Sequence, residues 1–193
     1  MEMFDMIEQR TLARLFFEGL IEEAWSRQNW PLVEIEQVQI KAYLLNLLES
    51  FMQKDASSIL EKPLLEELAQ KMDVTMIREI ADTMLFMTGV FGLRLVHSFM
   101  GIRYYIQVGE LAYASLYTRT KDADVAKIVF KHFALDLKPY INVLIEISGT
   151  HLVALGYQHV LLVYERYRAT KSEYDRQWLV RHQLLLPSST FRH

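Results

Sequence analysis

The sequence predicts an all-α protein: a single-domain helical bundle of about seven to eight helices over residues 1–193, with a frayed tail from about residue 187. Three observations predict it. Only seven glycines and four prolines are spread over 193 residues, too few turn formers for the many short strands of a sandwich or barrel, so the elements must be few and long. Apolar residues make up 51% of the chain, enough for one good core and incompatible with a disordered segment. Those residues recur at three- and four-residue spacing, the helical period, in segment after segment. More than about 60% of the residues should therefore be helical, against an ordinary share near one third.

A first helix is expected over roughly residues 5–27, with Leu12, Leu15/Phe16, Gly19/Leu20 and Glu23/Ala24 along one face. Asn29-Trp30-Pro31 ends it. A second should run from about Glu34 to Gln53, with Ile40, Tyr43/Leu44, Leu47/Leu48 and Phe51 inside and Asn46 beside them, placed to bond another helix. Ser58-x-x-Glu61 has the form of a capping box, with Pro63 as the other possible start. A short third helix would then carry Leu64, Leu65, Leu68, Ala69 and Met72.

Asp73 or Thr75 caps the helix that opens the central stretch, Arg78 to Thr118, around which the chain is arranged. Ile77, Ile80/Ala81, Met84 and Met87/Thr88 line one side of this helix, and Gly89 and Gly92 predict its end near Thr88. Asp82 lies one turn after Arg78, the spacing of a helical ion pair; the alternative is a buried carboxylate with a raised pKa. After a short segment and the Met100-Gly101 break, a helix resumes at Ile102. Tyr105, Gly109, Tyr113 and Tyr117 follow at four-residue intervals. A glycine between tyrosines lets a neighbouring helix approach closely, so this stripe is either core or the wall of a ligand pocket.

Asp122 is the expected N-cap of the next helix, which carries Val125, Ile128/Val129, His132/Phe133 and Asp136/Leu137. Pro139 should kink or restart it, and Gly149 should stop it after Ser148. From Thr150 a stripe through Leu152, Leu155, Val163, Tyr167, Tyr174, Trp178 and Leu185 forms one long helix or two broken near Thr170.

Three pieces of the chain carry a resemblance: AD-x-x-LF-x-TG-x-F (Ala81 to Phe91), YYI-x-x-GE-x-AY (Tyr104 to Tyr113) and AYLLNLLESFM (Ala42 to Met52). Together they resemble an uncharacterised bacterial all-helical family. Gly92 stands where that pattern often has a proline. The resemblance implies the helical fold and no activity.

Composition bounds the chemistry further. With no cysteine, disulfides and thiolate zinc sites are excluded, and the chain is compatible with the cytosol. Residues 1–70 hold 6 Lys/Arg against 13 Asp/Glu, whereas residues 71–193 hold 15 against 11. This opposition favours the N-terminal helices lying against the C-terminal ones, within one chain or between two. No signal peptide is legible at the N-terminus. The most apolar window, Met84 to Leu93, is about half the length of a membrane span. A cytoplasmic protein is the expectation.

No phosphate loop, dinucleotide fingerprint or nucleophile elbow occurs. Glu146, His151 and His159 are the nearest approach to a metal set, but the histidines are eight residues apart and miss a common helix face, so neither metal nor cofactor is expected. The run YERYRATKSEYDRQW mixes bases and aromatics, yet its acids suit a solvated helix better than nucleic acid. The best reading is a non-enzymatic helical module that self-associates, as a homodimer, or binds a protein partner. Two alternatives stand beside it: a binder of an apolar small molecule between helices near Asp82 and Tyr105, and an enzyme using the same residues. The candidate ligand-binding residues are Asp82, Tyr104, Tyr105, Glu110 and Tyr113.

Overall fold

The computed structural model describes residues 2–52, 73–96, 98, 100–122, 124–149 and 160–181. Of these residues 85% are helical, and no strand occurs among them. The helices are α1 (Glu2–Ser26), α2 (Glu34–Met52), α3 (Val74–Val90), α4 (Gly92–Val96), α5 (Gly101–Arg119), α6 (Ala126–Leu135), α7 (Lys138–Gly149), α8 (Val160–Thr170) and α9 (Glu173–Arg181). The chain is an all-α bundle. The expected capping box at Ser58, the short third helix, His151 and His159, and the tail from 187 lie outside the described residues.

Helices α3, α5 and α7 form the interior. α3 packs along α5 on one side and α7 on the other, with α6 folded back on α5. α1 lies on α2 and α7, and α8 and α9 close the end near α4 and α7. One core cluster runs through α1, α2, α3, α5, α6 and α7, from Trp25 through Leu44, Leu85 and Tyr113 to Leu144. A second, smaller one holds Val163, Trp178 and Leu179, with Leu93 and Tyr167 against it. Aromatic pairs knit the larger core: Phe51 stacks on Phe86 at 4.2 Å, and Trp25 and Trp30 stack at 3.8 Å with Tyr140 beside them.

Several local expectations are corrected. In α1 the predicted stripe is inward only in its second half: Leu15 and Phe16 are 60% and 63% exposed and Gly19 faces open space, while Leu20 packs on the core and Ala24 is buried together with Ile21 and Trp25. The helix is apolar on more than one side, so spacing alone could not choose. Trp25 chose: its indole N–H donates to Gln37 and its ring stacks on Trp30. α3 does not stop at Thr88 but runs to Val90, with Gly89 buried inside it against Leu144. That glycine serves helix approach rather than termination. Asp73 precedes α3 without a side-chain capping bond. Asp122 is not the cap of α6; it pairs with Lys127, and Asp124 accepts the Ala126 N–H instead.

Other expectations match. Pro139 restarts the helix as the second residue of α7, and the C-terminal stripe breaks just after Thr170, where Lys171 takes a left-handed φ of 58°. Asn46 does bond another helix, accepting from Arg14 of α1 at 3.4 Å. No helix among the described residues is long and apolar enough to cross a membrane.

Candidate functional site

Asp82 sits on α3 facing α2 and α5, where the surrounding residues are aromatic. Its Oδ1 accepts two phenol hydroxyls, from Tyr43 of α2 at 2.6 Å and from Tyr113 of α5 at 2.8 Å. Arg78, one turn earlier, brings Nε to 3.7 Å from Oδ2 and lays its guanidinium over the rings of Tyr43 and Phe130. Phe133 completes the packing, edge-on to both tyrosines. The predicted pairing of Asp82 with Arg78 is present, and it is one contact of a larger cluster that staples three helices. A carboxylate accepting several charge-assisted hydrogen bonds is held in one orientation.

Desolvation by burial and the Asp82 carboxylate both push the Tyr43 hydroxyl far above its ordinary value, with Arg78 pulling weakly the other way. Tyr113 is raised well above the usual phenol range for the same two leading reasons. Tyr140, beside Trp30, is raised chiefly by burial. A phenol whose folded-state pKa lies above its unfolded value of about 10 stabilises the fold fully below that pH and loses the contribution as pH rises past it. On alkaline titration, Tyr43, Tyr113 and Tyr140 should stay protonated until the helical circular dichroism signal collapses, and then ionise with it. Reversible ionisation of all ten tyrosines near pH 10 with helicity intact would contradict this cluster.

The five residues singled out by sequence do not form one site. Asp82 and Tyr113 meet directly. Tyr104 and Tyr105 pair edge-on with each other at 5.5 Å near the start of α5, two helical turns from Tyr113. Glu110 turns toward the end of α6, where its Oε1 accepts the Leu137 N–H at 3.4 Å. Helix rotation separates them, since a stripe of i, i+4 tyrosines and the glutamate at i+1 from Gly109 project in different directions.

Sequence reasoning missed Tyr43 as a partner. The signal was an inward tyrosine whose hydroxyl needed an acceptor. It also missed a second polar cluster. In the α8–α9 hairpin, Arg166 donates from Nε to Asp175 Oδ2 at 2.9 Å and from Nη2 to Oδ1 at 2.6 Å. Both side chains are essentially sealed from solvent, at 2% and 0% exposure. Burial pushes the Asp175 carboxyl up, and the Arg166 guanidinium offsets part of that. Thr170 and Ser172, also buried, close the turn: the Ser172 N–H donates to Thr170 Oγ1, and Thr170 Oγ1 donates to the Arg166 carbonyl. In sequence these residues looked like a solvated basic–acidic run, because nothing local distinguishes a buried ion pair from an exposed one.

A third polar contact links α2 and α6, with His132 Nε2 buried 3.2 Å from Glu36 Oε1. Among the described residues no three His, Asp or Glu side chains gather as a metal set. Comparison with protein-family models, with curated proteins and with solved structures returned no match.

Proposed function

We propose that the chain is a non-enzymatic helical module that self-associates as a homodimer. One observation supports this reading. Large apolar side chains stand in solvent on α6, α5 and α2: Leu135 at 73%, Leu111 at 65% and Ile35 at 60% exposure. The three helices that carry them touch: Glu36, next to Ile35, meets His132 of α6, and Glu110, next to Leu111, accepts the Leu137 N–H just after α6. Large apolar side chains left in solvent are the composition expected of an interface core. The polar chemistry near Asp82 is already consumed by Tyr43, Tyr113 and Arg78, which favours a structural role for that cluster over binding an apolar small molecule or catalysis.

Light scattering at micromolar concentration should give twice the chain mass for the wild type and one chain mass for Leu111→Asp/Leu135→Asp. Because both sites are exposed, the variant should keep its helical spectrum and its unfolding midpoint under dilute conditions. A wild-type monomer at high micromolar concentration, or a dimer indifferent to the two aspartates, would sink the proposal.

A further inference from the structure

The end of the bundle where α1, α7 and the α8–α9 hairpin converge holds a cleft of about 560 Å³, within the roughly 300–1,000 Å³ of ordinary small-molecule sites. Its lining is polar, and charges of both signs face into it. Asn142 and Glu146 lie one turn apart on α7, so both reach the same side. The Asn142 amide nitrogen donates to the Thr170 carbonyl at 3.5 Å, which fixes which end of the amide is oxygen. The other end, Oδ1, is buried and accepts no hydrogen bond among the described residues.

Glu146 is only 13% exposed and takes Arg27 on Oε1. Its second oxygen accepts no bond among the described residues. Burial pushes this carboxyl up against the pull of Arg27, so a second cation at the free oxygen would be welcome.

The cations of the cleft differ in what they have left to give. Arg27 is already committed to Glu146 and Glu23. Lys171 follows directly on the carbonyl that holds Asn142, is exposed, and leans on the Tyr167 ring at 5.4 Å. Its ammonium meets no carboxylate among the described residues. Among the described residues nothing donates to the second Glu146 oxygen, and at the lip no carboxylate meets the Lys171 ammonium. Both needs are met by one small molecule carrying an ammonium beside a carboxylate.

We propose that this cleft binds a free α-amino acid or similar small zwitterion, with the ammonium on Glu146 and the carboxylate on Lys171. The idea is independent of self-association. It is tested by thermal shift and calorimetry on the full chain against the proteinogenic L-amino acids, their N-acetyl derivatives and simple alkylamines. At least one free amino acid should bind saturably and raise the melting temperature, as any ligand selective for the native state must. Its N-acetyl derivative and the alkylamine matching its side chain should bind at least about tenfold more weakly, a difference of about 1.4 kcal/mol. Glu146→Gln and Lys171→Gln should each weaken binding by a similar factor; Lys171 is exposed, so that variant keeps the fold even where the first does not. Absence of binding by every free amino acid overturns the proposal. So does binding that survives N-acetylation, or that ignores Lys171→Gln.

Discussion

Asp175→Ala is expected to cost about 3–5 kcal/mol of folding stability, the typical penalty for removing one partner of a buried ion pair. The loss comes less from the missing attraction than from Arg166, left charged and sealed inside the hairpin with no acceptor for Nε and Nη2. The guanidinium cannot escape by losing its proton. Its stem is held as well, since Arg166 Cδ lies only 3.2 Å from where a methyl on Gly92 would stand. For a chain of this length each kcal/mol moves the melting temperature by about 2–4 °C, so a drop on the order of 10 °C should appear in a thermal scan. The double variant Arg166→Met/Asp175→Leu removes both charges and should recover most of the loss, because apolar replacements of buried pairs are often neutral or better. An Asp175→Ala protein that melts with the wild type would show that the pair is open to water.

Gly89→Ala should be the second large effect, with Gly109→Ala milder in the same direction. Alanine in place of glycine favours a helix interior by roughly 0.5–1 kcal/mol, so the sign depends on space. A methyl on Gly89 would lie 2.4 Å from Leu144 Cβ and 2.9 Å from its Cδ1. Cβ is fixed to the backbone, so α3 and α7 themselves would have to separate. That places the cost at or above the upper end of the about 1–3 kcal/mol usual for overpacking. At Gly109 the nearest atoms are Leu137 Cδ2 at 2.7 Å and Met84 Cβ at 3.2 Å. The leucine tip can turn away, so a net loss of about 1 kcal/mol is expected there. Urea unfolding of the two variants checks the order, and a Gly89→Ala protein at least as stable as wild type would mean that α3 and α7 do not touch at this point.

These two cases show how far the sequence was legible. Helix existence among the described residues followed from apolar period, and the breaks at Pro139 and after Thr170 were legible because they act through the local backbone. What Gly89 does could not be read. A glycine that ends a helix and one that admits a neighbour look alike until Leu144, 55 positions later, is known to face it. The first half of the α1 stripe failed for a related reason: with Phe16 and Phe17 adjacent, two apolar directions compete, and a distant partner decides. At the candidate site Asp82 and Tyr113, both singled out as ligand-binding candidates, bond to each other. Their shared partner Tyr43 came from another helix, and no spacing rule reaches across that gap.

The stacked pair Trp25–Trp30 and the lone Trp178 divide the chain's three tryptophans between the two apolar clusters. They make the protein its own optical gauge. Trp25 and Trp30 are close enough to couple electronically and give an exciton couplet in the far ultraviolet that reports the seat of α1. Trp178 emits from beside the α8–α9 turn. With Trp25 and Trp30 changed to phenylalanine, the remaining emission follows the hairpin alone. Loosening of that end can then be timed separately from the loss of the main core, without attaching any label.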